Sequence, residues 1–262
     1  MHLVLALALA STACSSPPPA PFDHSHALWN EVLADRVRRD GVEYAELKKD
    51  PARLDEYLAS LETVMPEEFA AWSLAQRHAY WINAYNAYTI RRVLDAYPIE
   101  SPKDVVDEDK QELWDQDFVP LGRLFPEAGD RKLTLNEIEN KILRPTFKDA
   151  RVHAALNCAA RGCPPLLGEA YVPDRLEKQL DARVAAWLAD PARTRYDRER
   201  KLLKVSKIFE WYRDDFVREG PSLKAWIGPR APEVHRDWIA AADDVKIEYL
   251  DYSWKLNDAK GE

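Results

Sequence analysis

The run from Leu74 to Tyr97, "LAQRHAYWINAYNAYTIRRVLDAY", constrains the fold more than any other part of the chain. Its large side chains recur every three to four residues, which is the spacing of one helix face, and Pro98 stops the run. These positions are Leu74, His78, Trp81, Tyr85, Thr89, Val93 and Tyr97. We therefore predict a long helix that passes through the hydrophobic core.

Two asparagines, Asn83 and Asn86, lie inside this predicted helix three residues apart, so they share one face. Asparagine is a poor helix former, and a buried amide needs hydrogen-bond partners. The pair therefore has two interpretations. Either the amides tie down the main chain of neighbouring loops, or they line a polar cleft that binds a ligand.

Three further helices are indicated by their first residues. A capping box formed by Thr134 and Glu137 begins one of them. A second runs from Asp174 to about Asp190 with an apolar inner stripe, and Ser206 caps a third. These elements make the chain helix-rich.

Strands are fewer than helices. Alternating apolar residues predict one strand in "RVHAALN" at 151–157, a hairpin at 193–205 and a last strand in "VKIEYLDYSW" at 245–254. With 46% hydrophobic residues, the chain has enough material for a proper core. We predict an α+β, helix-rich single domain over 27–258, with a small, mainly antiparallel sheet packed against the long central helix.

The N-terminal segment is typical of an exported protein. Residues 1–14, "MHLVLALALASTAC", form an apolar run that ends in small residues and a cysteine, as a signal peptide does. The end of the run also resembles a bacterial lipobox with Cys14 as the lipidated residue, although Ser11 stands where leucine is usual. Residues 15–26 then form a Pro/Ser-rich tether. An ordinary signal peptide is the alternative.

These features predict a location in the cell envelope. Because Ser15 is not the aspartate that usually retains lipoproteins in the inner membrane, we expect the protein at the periplasmic face of the outer membrane. Without the anchor it would be periplasmic or secreted. The membrane surface is then a partner through the lipid. The net charge of −8, with no basic cluster, excludes nucleic acid as an expected partner.

The segment "HAALNCAARGCPPL" at 153–166 concentrates the reactive residue types. In a strand, His153 and Cys158 would be about 16 Å apart, which disfavours a local dyad of these two residues. Cys163 follows Gly162, which can reverse the chain and return the thiol toward His153. One hypothesis is therefore a thiol enzyme with Cys163 as nucleophile and His153 as base, its imidazole oriented by Asn157 or Asn83.

The alternative for the same segment is a disulfide between Cys158 and Cys163, because the loop is short enough and exported proteins keep such bonds. If Cys14 is lipidated, these two cysteines pair without a remainder. A metal site is the weakest interpretation, because the spacing is unlike that of zinc ligands and His24 and His26 are expected to be exposed. We assign no metal and no cofactor.

Five blocks of the sequence resemble a known family, the domain of unknown function 547, whose bacterial members are often exported or lipoprotein-like. The blocks are "YWINAYNAYTI" at 80–90, "LTLNEIENKILRP" at 133–145, "RVHAALNCAARGCPPL" at 151–166, "VSKIFEWYRDDF" at 205–216 and "YLDYSWKLND" at 249–258. The resemblance implies a site among the residues that match these blocks. They are Trp81, Asn83, Asn86, His153, Asn157, Cys158, Cys163, Pro164, Lys207, Trp211, Tyr212 and Asp251.

Three functions remain open at this stage. The first is a lipoprotein domain whose polar cleft binds a peptide or small polar ligand, and its expected ligand-binding residues are Asn83, Asn86, Trp81, Asn157, Lys207 and Tyr212. The second is a thiol-dependent hydrolase or disulfide exchanger acting through Cys163 with His153. The third is a structural lipoprotein that binds a protein partner whose identity the sequence does not give. The sequence does not decide whether the protein is an enzyme.

Overall fold

The computed structural model describes residues 20–39, 41–218, 220–241 and 244–259. Three predicted features lie outside the described residues. They are the signal peptide, the predicted lipidation site Cys14 and the first part of the tether. Within these ranges, none of the helices combines the length and the apolar character that crossing a bilayer requires.

Helices make up most of the described chain, and the longest connection between elements is the segment 155–172. The α-helices are α1 (Ala27–Arg36), α2 (Tyr44–Lys49), α3 (Ala52–Thr63), α4 (Pro66–Ala71), α5 (Leu74–Ala96), α6 (Leu135–Glu137), α7 (Arg144–Phe147), α8 (Leu176–Ala189), α9 (Ile208–Trp211), α10 (Arg213–Arg218), α11 (Leu223–Ile227) and α12 (Glu233–Ala241). A π-helical stretch, Ile138–Leu143, joins α6 to α7. Short 3-10 helices lie at Pro102–Asp104, Leu113–Asp115, Gly122–Leu124, Ala150–Ala154, Pro173–Arg175 and Gly228–Arg230.

The predicted central helix is confirmed as α5, which has 23 residues. Ser73 caps it, because its side chain accepts from the Gln76 N–H while the Gln76 side chain accepts from the Ser73 N–H. From His78 to Ile90 every side chain of α5 is buried. The helix is therefore enclosed on all sides, whereas the sequence pattern predicted a single apolar face. Leu74, predicted for that face, is 54% exposed.

The strands form two small sheets, made by β1 (Val37–Arg38), β2 (Gly41–Val42), β3 (Thr194–Asp197), β4 (Leu202–Val205) and β5 (Lys246–Tyr249). The predicted hairpin is confirmed, because β3 and β4 pair antiparallel. The strand β5 instead pairs parallel to β4, with Leu203 opposite Ile247, so one of the two pairings in this sheet departs from the prediction. The α+β, helix-rich class is confirmed.

Two hydrophobic clusters form the core. The larger one surrounds α5, and the smaller one contains the inner face of the three-stranded sheet together with Trp187 and Phe209, whose rings stack at 4.3 Å. The sheet therefore packs against α8 and α9 and not, as predicted, against the central helix. Side chains of the segment 150–156 enter both clusters, so this segment lies between them.

The segment 151–157 is not the predicted strand. Residues Ala150–Ala154 form a 3-10 helix, which Asp149 begins by accepting a hydrogen bond from the Arg151 N–H at 2.9 Å. The alternation of polar and apolar residues misled the prediction because both kinds are buried here. His153 is 4% exposed and Asn157 is 1% exposed, so neither marks a solvent-facing side of a strand.

The described part of the predicted tether, residues 20–26, packs onto the domain, so its assignment as an unstructured tether is wrong. The Phe22 ring lies 5.3 Å from the Trp72 ring. His26, which was expected to be exposed, is 1% exposed, and its Nδ1 lies 2.8 Å from the hydroxyl of Tyr57. The folded domain therefore begins before residue 27.

Candidate active site

The amides of Asn83 and Asn86 bind main-chain groups of segments far away in the sequence. Asn83 donates to the Tyr171 carbonyl at 2.7 Å and accepts from the Tyr171 N–H at 3.0 Å. Asn86 donates to the Ala155 carbonyl at 3.0 Å and accepts from the Asn157 N–H at 2.7 Å. Each amide thus satisfies one main-chain donor and one main-chain acceptor.

This arrangement decides between the two interpretations of the asparagine pair. Asn83 is 0% exposed and Asn86 is 1% exposed, and both amides are satisfied by the main chain, so they do not form a polar cleft. Trp81 is likewise a core residue, packed edge-on against Phe69. The pair and Trp81 were wrongly predicted to bind a ligand. The asparagines instead fix the main chain, and Asn86, which binds residues 155 and 157, holds the start of the cysteine loop, residues 158–163.

Asn157 also acts inside the fold. Its side-chain oxygen, Oδ1, accepts from the Ala159 N–H and from the Asn257 side chain, both at 3.1 Å. The chain then turns at Ala159, whose φ of 58° is the positive value that was expected at Gly162. Gly162 is needed for a different reason. A Cβ there would lie 2.8 Å from the Tyr252 ring.

The turn brings Cys158 and Cys163 together. Their Sγ atoms lie 2.9 Å apart, and the Cys158 N–H donates to Cys163 Sγ at 3.1 Å. Both residues are free thiols in this structure, so the predicted disulfide is not formed here. Arg193 fixes the loop from outside by donating to the carbonyls of Cys163 and Arg161, each at 2.7 Å.

The two thiols differ in acidity because of these contacts. Burial acts to raise the pKa of Cys163, but hydrogen bonds from the Cys158 thiol and the Cys158 N–H outweigh it and lower that pKa. The hydrogen bond to Cys163, together with burial, raises the pKa of Cys158. These contacts favour a thiolate at Cys163 over one at Cys158.

A cavity of about 290 Å³ opens beside this pair. Its lining consists of Tyr85, Glu112, Trp114, Asp115, Asn136, Glu139, His153, Leu156, Cys158, Ile208, Trp211, Tyr212, Tyr252 and Trp254. Cys158 is half-buried in this wall, whereas Cys163 is 1% exposed and does not belong to the lining. Cys163 was predicted to be the nucleophile, but in the cavity that also contains His153 it is Cys158 that lines the wall.

His153 lies in the same wall between two carboxylates. Its Nε2 is 2.8 Å from Asp215 Oδ2, and its Nδ1 is 3.7 Å from Glu139 Oε1. The ring stacks on Tyr212 at 4.1 Å. Because an ionised carboxylate only accepts, Nε2 carries a proton and donates it to Asp215. The predicted orientation of the imidazole by Asn157 or Asn83 is wrong, because Asp215 does this.

Asp215 is held ionised by its neighbours. Burial acts to raise its pKa, but hydrogen bonds from His153 and Arg144 lower it far below the usual value. Arg144 Nε lies 2.5 Å from Asp215 Oδ2, and its guanidinium also lies 4.9 Å from the Tyr212 ring centre. Asp215 and Arg144 thus form a connected polar group with His153 and Tyr212, and the latter two line the cavity.

The predicted separation of about 16 Å between His153 and Cys158, which disfavoured a dyad of these residues, was also wrong. It assumed an extended chain, whereas a 3-10 helix rises only about 2 Å per residue. The helical segment Ala150–Ala154 and the turn after it bring both side chains to one cavity. Of the other predicted ligand-binding residues, Tyr212 lines this cavity, whereas Lys207 pairs with Glu210 outside it.

Sequence reasoning missed both carboxylates beside His153. Glu139 follows Ile138 in the apolar side of the predicted helix, and Asp215 directly precedes the buried Phe216. A carboxylate on the buried side of an amphipathic helix is unusual and was the available signal. In the described part of the chain, no group of three or more His, Cys, Asp or Glu side chains is arranged to hold a metal ion.

Comparison with known proteins gives one match. A family model described as "Protein of unknown function, DUF547" matches residues 69–188. These residues include α5, the π-helical stretch with Glu139 and the whole cysteine loop. No curated protein and no solved structure matches the chain.

Proposed function

Residues 69–188 of the chain belong to the DUF547 family, and from the geometry of its site we propose that the protein exchanges thiols and disulfides through Cys158 and Cys163. The observation that carries this proposal is the 2.9 Å separation of the two sulfurs beside an open cavity. A disulfide bond is about 2.05 Å long, so oxidation needs only a small movement of either side chain.

The two cysteines have different tasks in the proposed reaction. In the oxidised protein, a substrate thiolate attacks Cys158 Sγ, because this sulfur borders the cavity. The bond between the two cysteines breaks, its electron pair goes to Cys163 Sγ, and a mixed disulfide forms between substrate and Cys158. The low pKa of Cys163 makes it a good leaving group.

The reaction is completed by a second thiolate of the substrate. It attacks the substrate sulfur of the mixed disulfide, the substrate leaves as a disulfide, and Cys158 leaves as a thiolate that takes up a proton. Two electrons have then passed from substrate to protein, and the protons lost by the substrate thiols and gained by Cys158 are exchanged with solvent. The reverse sequence reduces a substrate disulfide. Stabilisation of the Cys163 thiolate stabilises the reduced pair and favours the oxidising direction.

His153 and Asp215 support proton transfer in this proposal. Nδ1 of His153 faces Glu139 at 3.7 Å in the same wall as Cys158, so the imidazole can pass a proton to or from a thiol in the cavity. Asp215 keeps the ring in one orientation. The ligand-binding part of the initial hypothesis also continues as a proposal: the cavity accepts a peptide or small molecule, with Tyr212 in its wall.

The direct test uses a neutral disulfide, 2-hydroxyethyl disulfide, on the reduced protein in a Cys14→Ser background. We expect the otherwise unaltered protein to lose two hydrogen atoms and keep no adduct, as seen by intact mass. Cys163→Ser should trap a mixed disulfide on Cys158, and Cys158→Ser should react far more slowly. If Cys158→Ser reacts as fast as its parent, the proposal is wrong.

A second candidate is a cysteine hydrolase with Cys158 as nucleophile. One observation favours it, namely the 2.8 Å hydrogen bond between His153 and Asp215 in the wall that also contains Cys158. The two candidates differ in their need for Cys163. Hydrolysis of p-nitrophenyl acetate that is lost in Cys158→Ser but persists in Cys163→Ser would favour the hydrolase over exchange.

The envelope location is also a proposal. An N-terminal lipid on Cys14 would keep this domain at the periplasmic face of the outer membrane, where thiol oxidation is common. Fractionation of cells that produce the protein and its Cys14→Ser variant tests this. The unaltered protein should sediment with the outer membrane, and the variant should be recovered in the periplasmic fraction.

A further inference from the structure

The cavity beside Cys158 has an acidic wall. Three carboxylates, Glu112, Asp115 and Glu139, belong to its lining, and the described lining contains no lysine or arginine. Glu112 and Asp115 are exposed, whereas Glu139 is only 6% exposed. A cavity lined with charges of one sign raises the local concentration of ligands of the opposite sign.

Glu139 is a buried carboxylate that accepts hydrogen bonds from tyrosine hydroxyls. The Tyr85 hydroxyl lies 3.5 Å from it, the Tyr212 hydroxyl also bonds to it, and the His153 Nδ1 lies at 3.7 Å. The nearby guanidinium of Arg144 donates to Asp215 and to Asn140. A ligand with a positive charge in the cavity would therefore add a charged partner for this buried carboxylate.

The same lining is also rich in aromatic rings. Trp254 lies 4.7 Å from Tyr252, 5.5 Å from Trp114 and 6.0 Å from Trp211, measured between ring centres. Trp211 is 46% exposed, which is unusual for a tryptophan in a folded domain. Aromatic faces attract ammonium and guanidinium groups.

The protein already places one cation on this wall. Lys103 Nζ lies 4.4 Å from the ring centre of Trp254, although Lys103 is not part of the cavity lining. This contact shows that the Trp254 ring can lie next to an ammonium group. Carboxylates and aromatic faces in one cavity lining are together the recognition chemistry of an organic cation.

We infer that the cavity selects thiols and disulfides that carry an ammonium or guanidinium group close to the sulfur. This inference rests on the proposed exchange reaction and adds a substrate class to it. Cysteine residues next to lysine or arginine in a peptide belong to this class, and so do small aminothiols. The sulfur would reach Cys158 while the cation lies between Glu112, Asp115 and the tryptophans.

The experiment compares three disulfides of similar length and different charge on the reduced Cys14→Ser protein. They are cystamine, which is cationic, 2-hydroxyethyl disulfide, which is neutral, and 3,3′-dithiodipropionate, which is anionic. Each rate of protein oxidation is divided by the rate with dithiothreitol, which removes differences in intrinsic reactivity. We expect cystamine to exceed dithiodipropionate by about tenfold or more at low salt, with the preference falling as salt increases.

The variant Glu112→Gln/Asp115→Asn should bring the three normalised rates together. Glu210→Gln removes an exposed carboxylate outside the cavity lining and is the matched control, so it should keep the cystamine preference. Equal rates for the three disulfides in the parent protein, or a faster anionic one, would overturn the inference and leave the exchange proposal standing. If none of the three oxidises the cysteine pair, the proposed function fails and the inference fails with it.

Discussion

Cys158 and Cys163 lie with their sulfurs 2.9 Å apart, yet only Cys158 belongs to the wall of the cavity. A thiolate at the buried Cys163 is stabilised by the thiol and the main-chain N–H of Cys158. The sulfur of Cys158 is thus the one that can contact a substrate, whereas the sulfur of Cys163 is the one that carries the stabilised negative charge.

The first prediction concerns the alkylation of Cys158. Because the hydrogen bond to Cys163 raises the pKa of Cys158, the Cys163→Ala variant should lower that pKa. The midpoint of the pH profile for iodoacetamide labelling of Cys158 should then move to lower pH. Peptide mass spectrometry after timed labelling measures it, and Trp238→Phe, distant from the cavity lining, serves as the control. An unchanged or higher midpoint would contradict the proposed coupling.

A second prediction concerns Asn86. The Asn86→Ala variant leaves the Ala155 carbonyl and the Asn157 N–H without partners in a buried site. Each of the two lost groups costs about 1–3 kcal/mol, so the free energy of unfolding should fall by about 2–6 kcal/mol. Urea unfolding followed by tryptophan fluorescence measures it. The exposed Gln111→Ala is the control and should change the value by less than about 0.5 kcal/mol.

The third prediction is a pH dependence of stability that comes from Asp215. Its folded-state pKa is depressed below the unfolded value of about 3.9. Its contribution is therefore fully present above that value and is lost as the pH falls toward the folded-state pKa. Asp215→Asn should destabilise the protein by about 2–3 kcal/mol at pH 7, a value typical of hydrogen bonds to charged groups, and by less at pH 3. A destabilisation that is constant from pH 7 to pH 3 would disprove this.

A fourth prediction concerns Arg193, which fixes the cysteine loop through the carbonyls of Cys163 and Arg161. Lysine cannot reproduce the two-pronged contact, because its ammonium is a single point donor. The Arg193→Lys variant should lose about 1–2 kcal/mol of loop stability. Hydrogen exchange at residues 161–163 should become faster while exchange in α5 stays unchanged. Equal protection in both proteins would show that the loop does not need this contact.

The last prediction concerns the smaller core cluster, to which α10, the helix that carries Asp215, and the three-stranded sheet both contribute. Trp187 is 0% exposed and stacks on Phe209. Trp187→Ala should reduce the free energy of unfolding by about 3–5 kcal/mol, because the cavity it leaves is large. Trp187→Phe should cost much less. Similar losses for both variants in urea unfolding would indicate that the stacked packing contributes little.

Much of the fold was predictable from the sequence because the signals are local. The spacing of large side chains and the stop at Pro98 predicted α5 to within one residue of its end. The Thr134 and Glu137 capping box is present, and the hairpin at 193–205 pairs as expected. In each case the residues that define the element are close neighbours in the chain, so their pattern carries the information.

The candidate site was predicted less well. The residue types His153, Cys158 and Cys163 were identified, but their geometry was not. The segment 151–157 alternates like a strand because core residues lie on both sides of it, and this requires the two hydrophobic clusters that only the folded chain provides. Likewise, the partner of His153 is 62 residues away in the sequence, at Asp215.

By itself, the sequence determined the long central helix, the α+β class and the family match of residues 69–188, together with the short stretch that contains the reactive residues. Only the tertiary structure decided which thiol faces the cavity and that Asn83 and Asn86 support the main chain. The physical reason is that hydrogen bonds such as that between Asn83 and Tyr171 join residues 88 positions apart. Neither the burial of a side chain nor its distant partner can be read from the spacing of its neighbours.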